Sequence, residues 1–153
     1  MNVKLLLTFV IFLISVTCHA ADYQHAQKDA AIQVLDEMLT IEKDPFVIIE
    51  ITGTNKYIQF YNENPGLLLD LPEVALTEKE IKLASAYFSK HGINSVKTTA
   101  KDPTTGDKFM FMGWTKTFDP LDIDEVVDIA FGALFEIYGI TQDTPLTFEK
   151  GWK

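Results

Sequence analysis

The residues in this chain able to do chemistry are few, and their spacing argues against catalysis. Histidine occurs at His19, His25 and His91. No two of them share metal-ligand spacing, so no zinc site is expected. His91 falls in the last turn of a helical pattern, where a cation complements the helix dipole. Beyond residue 20 the serines are Ser85, Ser89 and Ser95, none in a Gly-x-Ser-x-Gly elbow. No glycine-rich phosphate loop is present. The acidic run DPLDIDEVVD (119–128) fails as a calcium loop. Counting from Asp119, the third and fifth positions are Leu121 and Ile123, where oxygen ligands are required. Its carboxylates read as the charges a helix N-terminus favours. DPTTGD (102–107) reads as a hairpin turn. Glu50 lies inside the apolar segment FVIIEIT (46–52) and reads as a solvated carboxylate near an edge. The alternative for Glu50 is a buried, perturbed acid. No catalytic residue and no cofactor is expected.

The remaining chemistry is that of contact. In KYIQFYNENPGLLLDLPE (56–73), Tyr57, Gln59 and Tyr61 point to one side of a strand, and Ile58 and Phe60 to the other. In KFMFMGWTK (108–116), Phe109 and Phe111 share one face, and Met110, Met112 and Trp114 the other. Met and aromatic side chains make adaptable apolar surfaces. The expected binding patch is therefore Tyr57, Tyr61, Met110, Met112 and Trp114, on the outer face of a sheet. The alternative is that a helix covers this row, or that it is ordinary core.

These residues need a scaffold, and the periodicities supply one. Apolar residues from Ala26 to Leu39 fall at helical spacing, so a helix is predicted over 24–42, stopped by Asp44-Pro45. Strands are predicted over 46–52, 56–62 and 67–71, separated by the turns GTN and ENPG. Thr77 and Glu80 have capping-box spacing and open a second helix that ends at Gly92. Two more strands, 94–101 and 107–118, precede a last helix from Asp122 or Asp124 to Gly139. The last dozen residues, with Pro145 and Gly151, read as a tail over the surface. The expected architecture is α+β, a single domain in the order α-β-β-β-α-β-β-α, with an antiparallel five-stranded sheet and helices packed on it.

Residues 1–20, MNVKLLLTFVIFLISVTCHA, have the three-part layout of a secretory signal peptide, with cleavage predicted after Ala20. The apolar run is too short to span a bilayer comfortably, so no stable membrane insertion is expected once it is removed. An uncleaved anchor and lipidation at Cys18 are the alternatives. Cys18 is the single cysteine, so a domain of 21–153 has no thiol and no disulfide. A secreted domain without disulfides suits the periplasm. All 13 basic residues are lysine, against 22 acids. Cleavage removes Lys4 and no acid, so 12 lysines face 22 acids and the charge is −10. Such a chain repels phosphate backbones, and nucleic acid is not an expected partner.

The run KYIQFYNENPGLLLDLPEVALTEKEIKLASAYFSKHGI (56–93) resembles the type III secretion chaperone-like superfamily, which includes the YbjN-like group. An aromatic-Gln-aromatic strand, a turn, a Leu-rich strand and a capped helix ending in His-Gly carry the resemblance, together with ALFEIYGI (133–140). It implies an α+β fold and members that bind proteins, and it supplies no catalytic residues. Type III chaperones act in the cytoplasm, whereas this chain has an export signal. The expected function is thus a periplasmic or secreted, non-catalytic protein-binding module, of inhibitor, immunity or chaperone-like type, paired with a protein partner or with a second copy of itself as a homodimer. The rival is a small-ligand binder or enzyme with a carboxylate cleft.

Overall fold

The computed structural model describes residues 23–63, 65–101 and 105–152. The predicted signal peptide, its cleavage site and Cys18 lie outside these residues, as does part of the predicted turn at 102–107. The chain runs through helix α1 (23–39), strands β1 (Phe46–Ile51), β2 (Tyr57–Asn62) and β3 (Leu67–Pro72), helix α2 (Glu78–Lys90), strands β4 (Ser95–Lys101) and β5 (Lys108–Phe118), helix α3 (Ile123–Tyr138) and strand β6 (Leu146–Lys150). The strands form one antiparallel sheet in the order β4-β5-β3-β2-β1-β6.

The sheet has six strands rather than the five expected, and the sixth corrects the predicted tail. Residues 146–150 alternate Leu146 and Phe148 with Thr147 and Glu149, and they pair with β1 from Ile51↔Leu146 to Val47↔Lys150. Gln27 on α1 fixes the start of β6. Its side-chain oxygen accepts from the Leu146 amide at 2.9 Å, and its Nε2 donates to the Thr144 carbonyl at 3.2 Å. Lys150 also pairs with Glu37 on α1.

The helices end where local chemistry dictates. Thr77 and Glu80 form the reciprocal capping box: the Glu80 amide donates to Thr77 Oγ1, and the Thr77 amide to Glu80 Oε2. α3 stops at Gly139 in the left-handed conformation, φ 69°. The Asp119 carboxylate accepts from the Leu121 amide at 2.9 Å, capping the short 3-10 turn that leads into α3. Part of the acidic run is thereby a helix-start device.

Helices α1, α2 and α3 pack on one face of the sheet. Val47, Ile49, Ile51, Ile58, Phe60, Leu67, Leu69, Leu71, Trp114 and Phe118 meet Ala31, Leu35 and Met38 of α1, Ala84, Tyr87 and Phe88 of α2, and the apolar stripe of α3 in one core. α3 is the most deeply buried helix and touches both others. Lys28 of α1 pairs with Asp128 at 2.5 Å, and the Tyr87 hydroxyl of α2 donates to the Ile129 carbonyl at 2.8 Å. Burial pushes the Tyr87 hydroxyl up to about 12, so it stays a neutral donor.

Tyr87 fits against α3 because Gly132 has no side chain. A Cβ there would lie 2.2 Å from the Tyr87 hydroxyl. In an open helix Gly→Ala stabilises by about 1 kcal/mol. Here Gly132→Ala is expected to destabilise by about 1–3 kcal/mol, because overpacking outweighs propensity. Urea denaturation measures it, and a stabilised variant would show that the helices can part.

Candidate functional site

With α1, α2 and α3 on one side, no helix among the described residues lies against the opposite face of the sheet. Of its apolar members, Phe46, Ile48, Leu68 and Phe111 are half-buried and Val96 is exposed, all outside the packed core. Registers align them in rows. Phe46, Tyr61, Leu68 and Thr117 form one row, and Glu149, Ile48, Gln59, Asp70 and Thr115 the next. Phe46 and Tyr61 bring their ring centroids to 6.3 Å.

The predicted binding residues are divided between the two faces. Tyr57 and Tyr61 stand on the open face, half-buried. Met110, Met112 and Trp114 take the other parity, because Trp114 pairs with Leu71, a core residue. Trp114 is 3 % exposed and stacks on Phe88, with centroids 6.0 Å apart. It belongs to the core, and the expectation of one shared Tyr-Met-Trp face is corrected on this point. Met110 is 73 % exposed, near the hairpin end of β5 and on the helix-bearing side. Met112 is half-buried there, and its amide donates to the Glu73 carboxylate at 3.2 Å where β3 runs out. The residue that joins Tyr57 and Tyr61 across the open face from β5 is Phe111. Glu50 points to the open face, paired with Tyr57 and Thr147.

Sequence reasoning missed Asp70. It sits in GLLLDLP, where Leu67, Leu69 and Leu71 alternate into the core and Asp70 falls to the open side. The alternation was readable; its neighbours were not, since they depend on register. Gln59, directly opposite, donates from Nε2 to Asp70 Oδ2 at 2.5 Å. Burial raises the Asp70 carboxyl above the usual aspartate range, and the Gln59 bond draws it only partly back. Burial likewise raises the Tyr57 and Tyr61 hydroxyls, with the Asp70 charge adding to both. Beside Asp70 an open hollow of about 540 Å³ is bounded by Tyr61, Glu63, Leu68, Phe111 and Thr115. Thr117 donates to Glu63 at its rim, 2.8 Å away.

Charge is sorted across the sheet. The strand acids Glu50, Asp70 and Glu149 all occupy open-face positions. The strand lysines Lys97, Lys108, Lys116 and Lys150 all take the opposite parity. Lys116 borders the hollow, yet its ammonium lies over the Phe118 ring, 4.6 Å from the centroid. The open face thus presents aromatic and aliphatic surface with negative charge alone among its described strand residues.

Among the described residues, no cluster of His, Cys, Asp and Glu is placed to hold a metal ion, and no helix is long and apolar enough to cross a membrane. In comparisons with family models, curated proteins and solved structures, nothing matches this chain.

Asp70 carries a stability cost with a definite sign. Its folded-state carboxyl titrates above the unfolded one, so the folded state holds the proton longer. Stability falls as pH rises through that window, and the cost is fully present at neutral pH. Asp70→Asn, which keeps a partner for Gln59, is therefore expected to raise the urea midpoint at pH 7, with the gain vanishing below about pH 4. A loss of stability at pH 7 would mean that the charge is compensated.

Proposed function

We propose that this chain is an exported, non-catalytic protein-binding module with a chaperone-like α+β fold, and that it docks a partner protein on the open face of its sheet. The observation that carries this reading is the one-sided helical layer. A six-stranded sheet covered on one side leaves Phe46, Ile48, Tyr57, Tyr61, Leu68 and Phe111 on the other, outside the core. Aromatic residues amid polar ones are the composition of a binding surface. An acidic module of this kind suits an inhibitor or immunity-type role against a basic toxin or enzyme. A homodimer through this face is disfavoured, since Glu50, Asp70 and Glu149 would meet the same acids on the second copy.

One observation favours the rival reading of a small-ligand binder: the hollow joins the carboxylates of Asp70 and Glu63 to Tyr61. It lies open along the sheet, which fits a side chain borne on a larger surface better than a small molecule needing enclosure.

Photo-crosslinking separates the two. A benzophenone side chain is placed at Thr147, exposed on the open face away from the hollow, and in parallel at Lys82, on the outer side of α2. In the cells that make the protein, a discrete heavier adduct from Thr147 and none from Lys82 is the expected result. Equal labelling at both positions, or an adduct of two copies of this chain, would overturn the reading.

A further inference from the structure

Resting on the open-face reading, we infer that the hollow beside Asp70 receives an arginine side chain from a basic protein partner.

An open face whose described charged strand residues are all acidic complements a cationic surface and repels an anionic one. Within it, Asp70 stands near the middle of the sheet, on β3, flanked by β2 and β5. Its Oδ2 takes the Gln59 amide, while no donor among the described residues reaches its Oδ1. Oδ1 lies over Gly113, where a Cβ would come 3.4 Å from it. The cross-strand neighbour at Thr115 is short. One carboxylate oxygen is thus held in place by its partner, and the other has no donor of its own among the described residues.

The surroundings select the donor. Tyr61 and Phe111 border the hollow, and both offer aromatic surface to a flat cation. A guanidinium stacks on aromatic rings while donating to a carboxylate, and it sheds water more readily than an ammonium. Glu63 at the rim adds a second negative charge. Both raised tyrosines remain neutral at physiological pH and can lie against a cation without competing for it.

The occupant cannot come from this chain or from a second copy of it, because the sequence contains no arginine. The lysine at the border of the hollow is turned to Phe118. The cost of ionised Asp70 to the free protein fits the same scheme: a half-buried carboxylate is retained where a cation offsets it.

The test is a titration of the ¹⁵N-labelled protein with three blocked peptides, acetyl-Gly-Arg-Gly-amide, its lysine counterpart and its citrulline counterpart. Citrulline keeps the shape of arginine and removes its charge. The arginine peptide is expected to shift the Gln59 side-chain amide and the Gly113 and Thr115 backbone amides, with weaker binding of the lysine peptide and none of citrulline. Asp70→Asn, which is expected to stay folded, should weaken arginine binding roughly tenfold or more, the worth of a charged hydrogen bond. Thr115→Lys places an ammonium opposite Asp70 and should block the site while keeping the carboxylate. Binding of citrulline equal to arginine, or of lysine equal to arginine, overturns the guanidinium assignment. The crosslinked adduct separates the two levels. An adduct that persists undiminished in Asp70→Asn overturns the arginine pocket and leaves open-face docking standing, whereas an adduct that never forms removes the docking reading itself.

Discussion

Leu71 facing Trp114, with Leu67 facing Phe118, sets the register of β3 against β5. The placement of every outward residue depends on it. Side chains alternate along a strand, so a slip of one residue exchanges the two faces. Here a slip of β3 would carry Asp70 into the core, and a slip of β5 would turn Trp114 out to water. An ionised carboxylate without a cation costs several kcal/mol in an apolar interior, and Trp114 would lose its stack on Phe88. The same alternation that buries the leucines holds Asp70, Gln59 and Thr115 in one row on the open side. The core and the proposed docking surface are thus specified by one register, on opposite faces of one sheet.

The layer arrangement follows from the helices. α3 buries residues along nearly its whole length and sits between α1 and α2, so the three form one slab over a single face. Antiparallel sheets tolerate one solvated face, and the polar half of each strand normally occupies it. This chain puts more there than solubility requires. Phe46, Ile48, Leu68 and Phe111 gain nothing from the core, and Asp70 costs stability when ionised. Apolar surface outside a core and a carboxylate raised by burial within it are features that the proposed docking would account for and folding does not.

The helices were legible because each carries its own signal. The Thr77–Glu80 box, Gly92 and Gly139 act within a turn of the residues they control. The first five strands were legible for a similar reason, since each is a β-branched or aromatic run between turn residues. β6 was not. It is a five-residue edge strand whose partner β1 lies about a hundred residues earlier, and its pairing is supported by Gln27 and Glu37 on a helix still more distant in sequence. The contact face was half legible. Period-two alternation gave the outward direction of Tyr57 and Tyr61 and separated Phe111 from Trp114. Which half of β5 shares the face of the tyrosines depends on register against β3, a non-local quantity that no window of the sequence contains.

The central claim is that this face meets water in the free protein while its counterpart does not. Hydroxyl-radical footprinting of the purified protein, read by mass spectrometry, tests it at single residues. Tyr61 and Phe111 should label readily, and Trp114 and Phe88 slowly, even though tryptophan is the more reactive ring. Protection of Tyr61 and Phe111 to the level of Phe88 would mean that the open face is covered in the free protein, and the docking account would fail.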